Sequence, residues 1–445
     1  MSTTGARGEP GPDAVALRGA ERRRQGRARV VMLGGSSPFA IGLLDAIAAD
    51  PRLPVLGDLV LVGRNAEALS MVATYGVGLL GPTGWRVTAT VDRDEALTGA
   101  DIVLNQIRLG GLEGRRRDEH LAADLGVPTD ETIGPAGLAA AIRIAPGHRR
   151  LADDLKERCP DALVLNMTNP LSCSTALLSR EGVRRVVGLC ELPLVTARET
   201  CRILEEPLAR VEWTYTGLNH RGFIHRLAVD GRDLLTELPQ RMGARTIGGI
   251  TAAEIASLGA IPMKHFALFR HPPPPAAASR TDLLMRLRGE ILEELRADPS
   301  RSPPSLRHRE QPWYPLALVP MLAAIAGTEP RELVVNLPGP DGIACEVQAA
   351  VSAERIVPSA GGPTPPAVSR WLDRYTNQEH RIVSAATDPS LETIRAALQA
   401  DPLVATSDVD ALARRMLEDV AKEIETTRRS PARSRQRPAT ATDVS

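Results

Sequence analysis

Two residues in the middle of the chain carry side chains that proteins use to bind metal ions. Cys190 lies near the end of the apolar run VRRVVGLCE, and His220 lies in the segment GLNHRGF. A thiolate and an imidazole suit a borderline divalent ion and leave coordination positions open for substrate oxygens. Their wide separation along the chain equally fits a buried cysteine at a strand end and a hydrogen-bonded histidine. The two residues alone leave both interpretations open.

A second set of residues has the pattern of a dinucleotide site. Gly34, Gly35 and Ser36 follow the apolar run RVVML and precede a helix that should begin near Pro38. In such a strand–turn–helix unit, backbone N–H groups and the helix N-terminus meet a pyrophosphate. Asn105, at the end of a later strand, could contact the same cofactor or only cap its strand. The pattern predicts a bound nicotinamide dinucleotide.

The end of the second apolar strand bears on the identity of this dinucleotide. An acid that binds the adenine ribose is common at this position, whereas the sequence here reads VGRN and supplies Arg64. Arg64 could pair with the 2′-phosphate of NADP, or it could be a solvated loop residue. We expect NAD, and Arg64 leaves NADP open as the alternative.

The overall composition excludes several classes of protein. The chain has 445 residues, with 54 Lys and Arg against 54 Asp and Glu, and only 3% of its residues are aromatic. Zero net charge removes the usual electrostatic attraction to nucleic acids and anionic membranes. No apolar stretch approaches the ~20 residues that span a bilayer. We expect neither nucleic-acid nor membrane partners, in a chain long enough for two or three domains.

The cysteines and the chain ends indicate a cytoplasmic protein. The five cysteines are odd in number and loosely spaced, without a CxxC pair, so a disulfide framework is not expected. Residues 1–28 are rich in Gly, Pro and Arg and lack the apolar core of a secretory signal, which predicts a disordered leader. Residues 427–445 have the same character and predict a disordered tail.

Alternation of strands and helices predicts the fold of the first half. Predicted strands lie at 29–33, 59–62, 85–92, 100–106, 161–170 and 183–191, with helical stretches between most of them. Strands separated by helices form parallel βαβ units whose sheet is covered on both faces. We predict an α/β region, a Rossmann-type doubly wound parallel sheet, over residues 29–192.

Beyond this region the pattern changes to that of an α+β domain. Residues 209–234 alternate apolar and polar residues around a DG turn, which predicts an antiparallel ribbon. Helices are expected at 251–258, 281–297, 314–326 and within 366–425. The Pro-rich segment 271–279 excludes both helix and central strand. We assign residues 193–426 to a second domain that supplies substrate and metal ligands.

Eight segments resemble glycoside hydrolase family 4, whose members are NAD- and metal-dependent glycosidases related in fold to lactate and malate dehydrogenases. The segments are MLGGSS (32–37), QIRLGGLEGRRRDEH (106–120), GPAGLAAAIR (134–143), LVLNMTNPLS (163–172), VVGLCELPL (186–194), GLNHRGF (217–223), PWYPLAL (312–318) and VVNLPGPDGI (334–343). They occur in the family's order.

The resemblance implies a divalent metal, typically manganese, and a sugar substrate that is often 6-phosphorylated. It also implies an unusual reaction: transient oxidation at C3, proton removal at C2, elimination of the aglycone, water addition and re-reduction. This route differs from the two-carboxylate chemistry of most glycosidases.

The resemblance also implies roles for individual residues. Cys190 and His220 fall at the family's metal-ligand positions. Arg108 and Asn169 match its substrate-contacting arginine and asparagine, although a solvated loop and a turn before Pro170 remain open as alternatives.

Two further residues gain a role from the same resemblance. Glu191 stands where members that act on α-linked substrates carry an aspartate that protonates the leaving group; a surface acid is the alternative. Arg309 closes the basic run 307–309, in a place where relatives put basic residues near the sugar. Phosphate binding and a solvated loop both remain open for this run.

Two positions depart from the family. Leu33 replaces the first of the three glycines usual in the dinucleotide turn. The family's tyrosine-rich segment, which supplies the base for the C2 proton, reads IPMKHFALFR at 261–270 and contains no tyrosine. His265 falls at the first tyrosine position, and an imidazole could accept that proton near neutral pH. A helix-packing role, in a lineage without the elimination step, is the alternative.

These observations predict a glycosidase-like enzyme that acts on a hexoside or phospho-hexoside, as a homodimer or homotetramer like most of the family. The missing tyrosine leaves a second hypothesis open, a sugar oxidoreductase or epimerase of specialised metabolism that oxidises C3 without releasing an aglycone. The altered glycine turn leaves a third, a non-catalytic sugar-phosphate or nucleotide-binding protein.

Overall fold

The fold is known from a computed structural model, which describes residues 12–123, 126–128, 130–269 and 280–429. The Pro-rich segment 271–279, the first 11 residues of the expected leader and the expected tail from residue 430 lie outside the described residues. The described strands join in one 14-stranded sheet with helices packed around it.

The strands are β1 (Val15–Ala16), β2 (Ala28–Leu33), β3 (Gly57–Val62), β4 (Arg86–Thr90), β5 (Ile102–Asn105), β6 (Leu163–Asn166), β7 (Val186–Gly188), β8 (Glu212–Leu218), β9 (Arg221–Val229), β10 (Arg232–Asp233), β11 (Ile261–Pro262), β12 (Arg331–Pro338), β13 (Ala344–Val351) and β14 (Arg355–Pro358).

The helices are α1 (Ala20–Arg24), α2 (Ile41–Ala49), α3 (Ala66–Leu80), α4 (Arg93–Leu97), α5 (Gly111–Ala123), α6 (Gly134–Arg158), α7 (Leu171–Arg180), α8 (Leu192–Leu204), α9 (Leu238–Met242), α10 (Ala252–Leu258), α11 (Arg280–Ala297), α12 (Val319–Ala326), α13 (Pro366–Thr387), α14 (Leu391–Ala400) and α15 (Val409–Arg429). A π-helical turn, Tyr314–Leu318, runs directly into α12.

The first half of the chain builds a parallel sheet in the order β4–β3–β2–β5–β6–β7. Its central strands are almost fully buried because helices cover both faces, which explains their continuous apolar sequences. Strand order reverses between β2 and β5, and a crevice opens at the carboxyl ends of the strands at such a point. The predicted Rossmann-type doubly wound sheet is confirmed.

The second half joins the same sheet through a single antiparallel contact, in which Asn336 of β12 pairs with Gly188 of β7. From there the sheet continues through β13, β8, β9 and β10. Between β9 and β10, Asp230 and Gly231 have φ angles of 50° and 80°, as a type I′ turn requires. The predicted antiparallel ribbon is confirmed. The division into two domains stays a prediction, since one sheet runs through both.

The described part of the expected leader, residues 12–28, is folded, so the expectation of disorder is wrong there. β1 pairs with β14, and Arg23 of α1 is completely buried. The Arg23 guanidinium donates to the carbonyl of Ile325 at 2.8 Å and to the carbonyls of Arg18 and Ala353. Arginine-rich composition suggested a solvated segment, but a buried guanidinium is tolerated where carbonyls accept its hydrogen bonds.

Two further observations concern the chain as a whole. All five cysteines are free thiols, four of them buried and Cys345 partly exposed. Among the described helices, none combines the length and the apolar character needed to cross a bilayer.

Candidate active site

The crevice between β2 and β5 contains the predicted dinucleotide turn. Gly34 has a φ of 98°, and a Cβ on Gly35 would lie 2.9 Å from the Cβ of Leu61, so glycine fits both positions best. Both glycine N–H groups donate to the carbonyl of Val62, at 3.0 and 2.7 Å, which anchors the turn to β3. The turn then continues through Ser36. This geometry fits a Rossmann dinucleotide turn, and the cofactor contacts of these residues stay a prediction.

Leu33, the departure from the family's three glycines, does not disturb this turn. It is the last residue of β2, its side chain is buried, and its backbone does not have a positive φ. The left-handed conformation begins one residue later, at Gly34. A glycine is therefore unnecessary at position 33.

The other two residues predicted to serve the cofactor have different surroundings. Arg64 is exposed just beyond β3 and forms no ion pair with any residue that the structure describes. Asn105 is completely buried, and its amide donates to Oδ1 of Asn166 at 2.9 Å. Because this side chain is used inside the protein, the structure favours the strand-end role of Asn105 over contact with a cofactor.

Arg108 and Asn169, predicted to contact the substrate, line one cavity beyond the carboxyl ends of β5 and β6. The Arg108 guanidinium forms an ion pair with the Glu131 carboxylate, and 34% of the Arg108 side chain is exposed. Arg108 is therefore held at the cavity wall instead of extending freely into solvent. We call this region the arginine cavity.

Glu131 forms ion pairs with two arginines of the arginine cavity. One of its carboxylate oxygens lies 2.6 Å from Nη1 of Arg115, in addition to its ion pair with Arg108. Burial alone would raise the pKa of Glu131, but the two guanidinium groups lower it to about 2. The carboxylate is thus ionised at neutral pH and holds both arginines.

Arg309 connects this cavity to the dinucleotide turn. Its guanidinium stacks 3.8 Å from the ring centroid of Phe39, which follows the turn in sequence. Burial lowers the pKa of Arg309 to about 10, so it keeps its charge at neutral pH close to Arg108 and Glu131. Two guanidinium groups beside one carboxylate suit an anionic ligand such as a phosphate.

Three potential metal ligands meet at the hairpin between β8 and β9. His220 lies in its two-residue turn with a φ of 64°, which few residues other than glycine adopt. The His220 ring stacks on the His265 ring, with centroids 4.2 Å apart and planes 9° from parallel. Nε2 of His265 lies 3.7 Å from Oδ1 of Asp130. One ligand atom from each of the three residues lies within 4.8 Å of the others. We call these three residues the histidine cluster.

The donor atoms of the histidine cluster fit a divalent cation. Nδ1 of His220 and Nδ1 of His265 are both buried without a hydrogen-bond partner in the described structure. Burial lowers the pKa of His265 to about 3 and that of His220 well below its ordinary value, so both rings are neutral. Buried polar atoms are nearly always bonded, so these two unpaired nitrogens are potential donors to a ligand, while the His265 nitrogen that faces Asp130 is Nε2.

Cys190, the other predicted metal ligand, lies outside the histidine cluster. Its thiol is buried, beside the N–H of Leu192 and the amide of Asn219. Burial, together with the carboxyl groups of Glu191 and Glu346, raises the pKa of the thiol well above its ordinary value. The thiol thus contacts Asn219, the residue that precedes His220, and the role of Cys190 as a metal ligand stays a prediction.

Glu191, the predicted acid, is the N-cap residue that precedes α8, and it is half-buried. Burial raises the pKa of its carboxyl group, an effect that Lys264 and the adjacent Cys190 partly offset. A raised pKa keeps the proton on the carboxyl closer to neutral pH, as a general acid requires. The structure is compatible with the predicted role, which it does not test.

Behind the His220 turn, a buried carboxylate links three strands. Tyr215 of β8 donates its hydroxyl to one oxygen of Glu346, while the amides of Asn219 and Asn336 donate to the other at 2.9 and 2.8 Å. Glu346 is completely buried; burial raises its pKa, and these three donors partly reverse the shift. We call these four residues the Glu346 cluster.

The segment that replaces the family's tyrosine-bearing one is packed into the interior. The ring centroids of Phe266 and Phe269 lie 5.0 and 5.1 Å from that of Trp371 in α13. These aromatic side chains serve packing and not proton transfer. His265 is buried among them with a pKa of about 3, at which an imidazole is a weak base. Its predicted role as the base is therefore not favoured by its surroundings.

Sequence reasoning missed Asp130 and Glu131, whose carboxylates complete the histidine cluster and the arginine cavity. Both precede α6 in sequence, where acids are common because they interact favourably with the helix N-terminus. Their only distinguishing signal is their position just before the family-like segment GPAGLAAAIR (134–143).

The fold and the site define the class of protein: a Rossmann-type enzyme with a dinucleotide crevice, a cavity lined by paired arginines and carboxylates, and a group of potential metal ligands. The chain belongs to glycoside hydrolase family 4. The family description "Family 4 glycosyl hydrolase" matches residues 29–206, and "Family 4 glycosyl hydrolase C-terminal domain" matches residues 215–404. The predicted membership is confirmed, and with it the prediction of a glycosidase-like enzyme.

Individual relatives agree with this assignment. The chain is 28% identical over 424 residues to the "Probable 6-phospho-beta-glucosidase" of Bacillus subtilis (strain 168), which covers 88% of this chain and 95% of the relative. A solved structure of the 6-phospho-beta glucosidase from Thermotoga maritima, with manganese, NAD+ and glucose-6-phosphate, matches with a TM-score of 0.78 and 21% identity, covering 89% of this chain and 98% of that one.

A dehydrogenase shares the fold more distantly. Malate dehydrogenase from Plasmodium falciparum, in complex with NADH, matches with a TM-score of 0.52 and 12% identity, over 81% of this chain and 98% of the dehydrogenase. The predicted relationship in fold to the malate dehydrogenases is confirmed.

Proposed function

We propose that this enzyme hydrolyses 6-phosphorylated glycosides with the help of a nicotinamide dinucleotide and a divalent metal ion. The observation that carries the proposal is the continuity of three features. Phe39 and Arg309 link the glycine turn to the arginine cavity, and the neighbouring residues Glu131 and Asp130 link that cavity to the histidine cluster. The names of the relatives from B. subtilis and T. maritima support a phosphorylated glucoside.

The arginine cavity would bind the phosphorylated sugar. Arg108 and Arg309 offer guanidinium groups that match phosphate oxygens, and Asn169 offers an amide for the sugar hydroxyls. Glu131 would hold Arg108 in position before the phosphate arrives. In this interpretation the ion pair between them is a means of preorganisation.

The resident groups would be held on either side of this cavity. Gly34, Gly35 and Ser36 would hold the dinucleotide, and Cys190 and His220 would hold the metal. When bound, these groups would supply transient oxidation at C3 of the sugar and stabilise the negative charge that develops as C2 loses its proton. Manganese and NAD+ in the T. maritima structure support this choice of cofactors.

Glu191 would donate a proton to the glycosidic oxygen as the aglycone leaves. Its raised pKa supports this role, because the carboxyl group must be protonated before the bond breaks. After the proton has left, Lys264, whose charge lowers the pKa of Glu191, would favour the carboxylate that remains.

A sugar oxidoreductase or epimerase is the second candidate function. It is favoured by the packing of Phe266 and Phe269 where the family has its tyrosine-rich segment, because elimination then lacks its usual base. Such an enzyme would oxidise C3 and keep the rest of the sugar intact.

The test uses the full chain, freed of metal and then supplied with Mn²⁺ and either NAD⁺ or NADP⁺. We expect nitrophenol release from p-nitrophenyl 6-phospho-β-glucoside and little from the unphosphorylated glucoside. Formation of NADH or NADPH from glucose 6-phosphate, without nitrophenol release from the glucoside, would support the second candidate instead. If neither reaction occurs and neither group raises the melting temperature, both proposals fail and a non-catalytic role remains.

The same preparation decides two predictions that the sequence left open. Tighter binding of NADP⁺ than of NAD⁺ would assign the exposed Arg64 to the 2′-phosphate, and the reverse would make it a solvated residue. Light scattering would measure the expected homodimer or homotetramer. The cytoplasmic location stays a prediction.

A further inference from the structure

We propose that Phe39 is a positioning residue for Arg309, and that it couples the dinucleotide turn to the binding of the sugar phosphate. This role rests on the proposed function in one respect, since it takes Arg309 as a guanidinium that binds the phosphate group. It goes beyond that function by assigning a role to Phe39 and by predicting that the dinucleotide and the sugar phosphate bind cooperatively.

Arg309 differs from the arginines that line the arginine cavity. The guanidinium groups of Arg108 and Arg115 both form ion pairs with Glu131. Among the residues that the structure describes, none forms an ion pair with the guanidinium of Arg309 or accepts a hydrogen bond from it. Its N–H groups are therefore available to an anion that enters the site from solution.

Two aromatic rings contact the Arg309 guanidinium in place of a carboxylate. Its Cζ lies 3.8 Å from the ring centroid of Phe39 and 5.4 Å from that of Trp313. Stacking uses only the flat face of a guanidinium, so the N–H groups around its edge stay free. Phe39 is itself buried, and close packing limits the movement of its ring. The stack thus orients Arg309 without using its hydrogen-bond donors.

A second contact joins the same segment to the backbone of Phe39. The side-chain amide of Gln311 donates to the carbonyl of Phe39 at 2.9 Å. A Cβ on Gly42 would lie 2.0 Å from Oε1 of Gln311, so glycine at this position leaves the space that the Gln311 side chain occupies. Arg309 and Gln311 therefore both depend on the position of Phe39, one through its ring and the other through its carbonyl.

A third contact reaches the glycine turn from the other end of this segment. The Tyr314 hydroxyl donates to Oε1 of Gln106 at 2.7 Å. Gln106 lines the arginine cavity and also lies against Gly34, where a Cβ would be 3.3 Å from Cγ of Gln106. Residues 309–314 thus contact the dinucleotide turn on two sides, directly at Phe39 and through Gln106 at Gly34.

These contacts predict coupling between two ligands. A dinucleotide bound at the glycine turn, residues 34–36, would restrict the motion of Phe39 a few residues beyond it. Arg309 would then already have the orientation in which it meets the phosphate, so less conformational entropy would be lost when the sugar binds. Coupling between two binding sites is reciprocal, so the sugar phosphate should raise the affinity for the dinucleotide by the same factor.

The first measurement needs no variant. Glucose 6-phosphate is titrated into the full chain with Mn²⁺ in a calorimeter, with and without saturating NADH, and NADH is titrated with and without glucose 6-phosphate. NADH is used, or NADPH if that binds more tightly, because the reduced cofactor does not oxidise the sugar. We expect each ligand to raise the affinity for the other about 5–20-fold. A factor below about two, or no binding of glucose 6-phosphate, would overturn the inference.

A double-mutant cycle tests whether Phe39 acts through Arg309. The affinity for glucose 6-phosphate is measured in the presence of NADH for the wild type, Phe39→Leu, Arg309→Gln and the double variant. We expect Phe39→Leu to weaken binding about 5–10-fold in the wild-type background and less than about twofold in the Arg309→Gln background. Equal losses in both backgrounds would show that Phe39 only stabilises the surrounding fold, which would overturn the inference.

Two conservative variants are the matched controls. Phe39→Tyr keeps an aromatic face and should bind glucose 6-phosphate within about threefold of the wild type. Arg309→Lys keeps the positive charge but has no flat face to stack on a ring, so it should lose about tenfold in affinity and most of the coupling with NADH. Wild-type affinity and coupling in Arg309→Lys would show that charge alone is needed, and would overturn the role of Phe39.

The outcomes separate this inference from the proposed function. Coupled binding of glucose 6-phosphate and NADH, in a protein that releases no nitrophenol from p-nitrophenyl 6-phospho-β-glucoside, would leave the role of Phe39 standing and overturn the function. Nitrophenol release that Phe39→Leu leaves unchanged, with no coupling between the two ligands, would leave the function standing and overturn the inference.

Discussion

The Glu346 cluster and the histidine cluster meet at the same short hairpin turn, and their bonding differs. In the Glu346 cluster, Tyr215, Asn219 and Asn336 donate hydrogen bonds to both oxygens of one carboxylate. In the histidine cluster, a nitrogen of each imidazole is buried without a partner, whereas in the Glu346 cluster both carboxylate oxygens are bonded and the unpaired atoms are Oδ1 of Asn219 and Oδ1 of Asn336. A buried carboxylate with its donors in place holds strands together, whereas unpaired donor atoms are available to a ligand. The turn Asn219–His220 contributes one residue to each.

The largest expected effect is the loss of stability caused by a substitution in the Glu346 cluster. Glu346→Ala would leave one hydroxyl and two amides without their acceptor and create a cavity between three strands. We expect the free energy of unfolding to fall by about 3–5 kcal/mol in urea denaturation of the metal-free protein. Glu346→Gln, which keeps the volume and one acceptor oxygen, is the matched control and should lose less. A loss below about 1 kcal/mol for Glu346→Ala would mean that the Glu346 cluster does not hold the strands.

The next largest effect is the loss of metal affinity caused by a substitution in the histidine cluster. His220→Asn removes the imidazole, while asparagine is among the residues that best tolerate the positive φ of 64° at this position. We expect the metal-free variant to be about as stable as the wild type, and its affinity for Mn²⁺ to fall more than ~100-fold. Thermal unfolding with and without Mn²⁺ measures both quantities. A stability loss like that of Glu346→Ala, with the metal response retained, would reverse the comparison.

A smaller effect concerns a buried carboxyl group that belongs to neither cluster. Asp401 follows α14, is buried, and accepts a hydrogen bond from the N–H of Leu403 at 2.9 Å. Burial raises its pKa from 3.8 to about 6, even though this hydrogen bond and the charge of Arg221 act in the opposite direction. The folded protein therefore favours the protonated form, and the stability that this group contributes below pH 3.8 is lost as the pH rises through about 6.

Asp401→Asn should remove this pH dependence. We expect the variant to exceed the wild type by about 3 kcal/mol in free energy of unfolding at pH 8, and to match it below pH 4. Urea denaturation at a series of pH values measures the difference. A constant difference across that range would show that Asp401 keeps its ordinary pKa in the folded state.

The sequence predicts best the features that depend on local pattern. The apolar runs of the parallel strands, the glycine turn at residues 34–35 and the DG turn at residues 230–231 are each determined within a few residues, because burial on both faces and positive φ angles restrict the residue types directly. The structure confirms all of them. The metal role of Cys190 and His220 also rests on short segments, and it stays a prediction.

Contacts between distant segments could not be predicted in this way. Asp130 meets His220 and His265 only because α6, the β8–β9 hairpin and β11 converge, and no local pattern records that convergence. Arg23 was missed for a similar reason, since its acceptors lie some three hundred residues away in sequence. In both cases the residue types alone indicate a polar surface. Burial becomes possible because partners that are distant in sequence bond to the polar groups.

The folded part of the expected leader has a consequence for where the protein can be shortened. The family match begins at residue 29, which makes that residue an attractive starting point for recombinant expression. A chain that starts there would lose β1 and α1, exposing the open edge of β14 to pairing with other molecules. It would also remove the Arg23 guanidinium, which donates hydrogen bonds to the carbonyls of Ile325 and Ala353. In this enzyme the short N-terminal extension covers the edge of β14, and a purification tag is better added before this extension than put in its place.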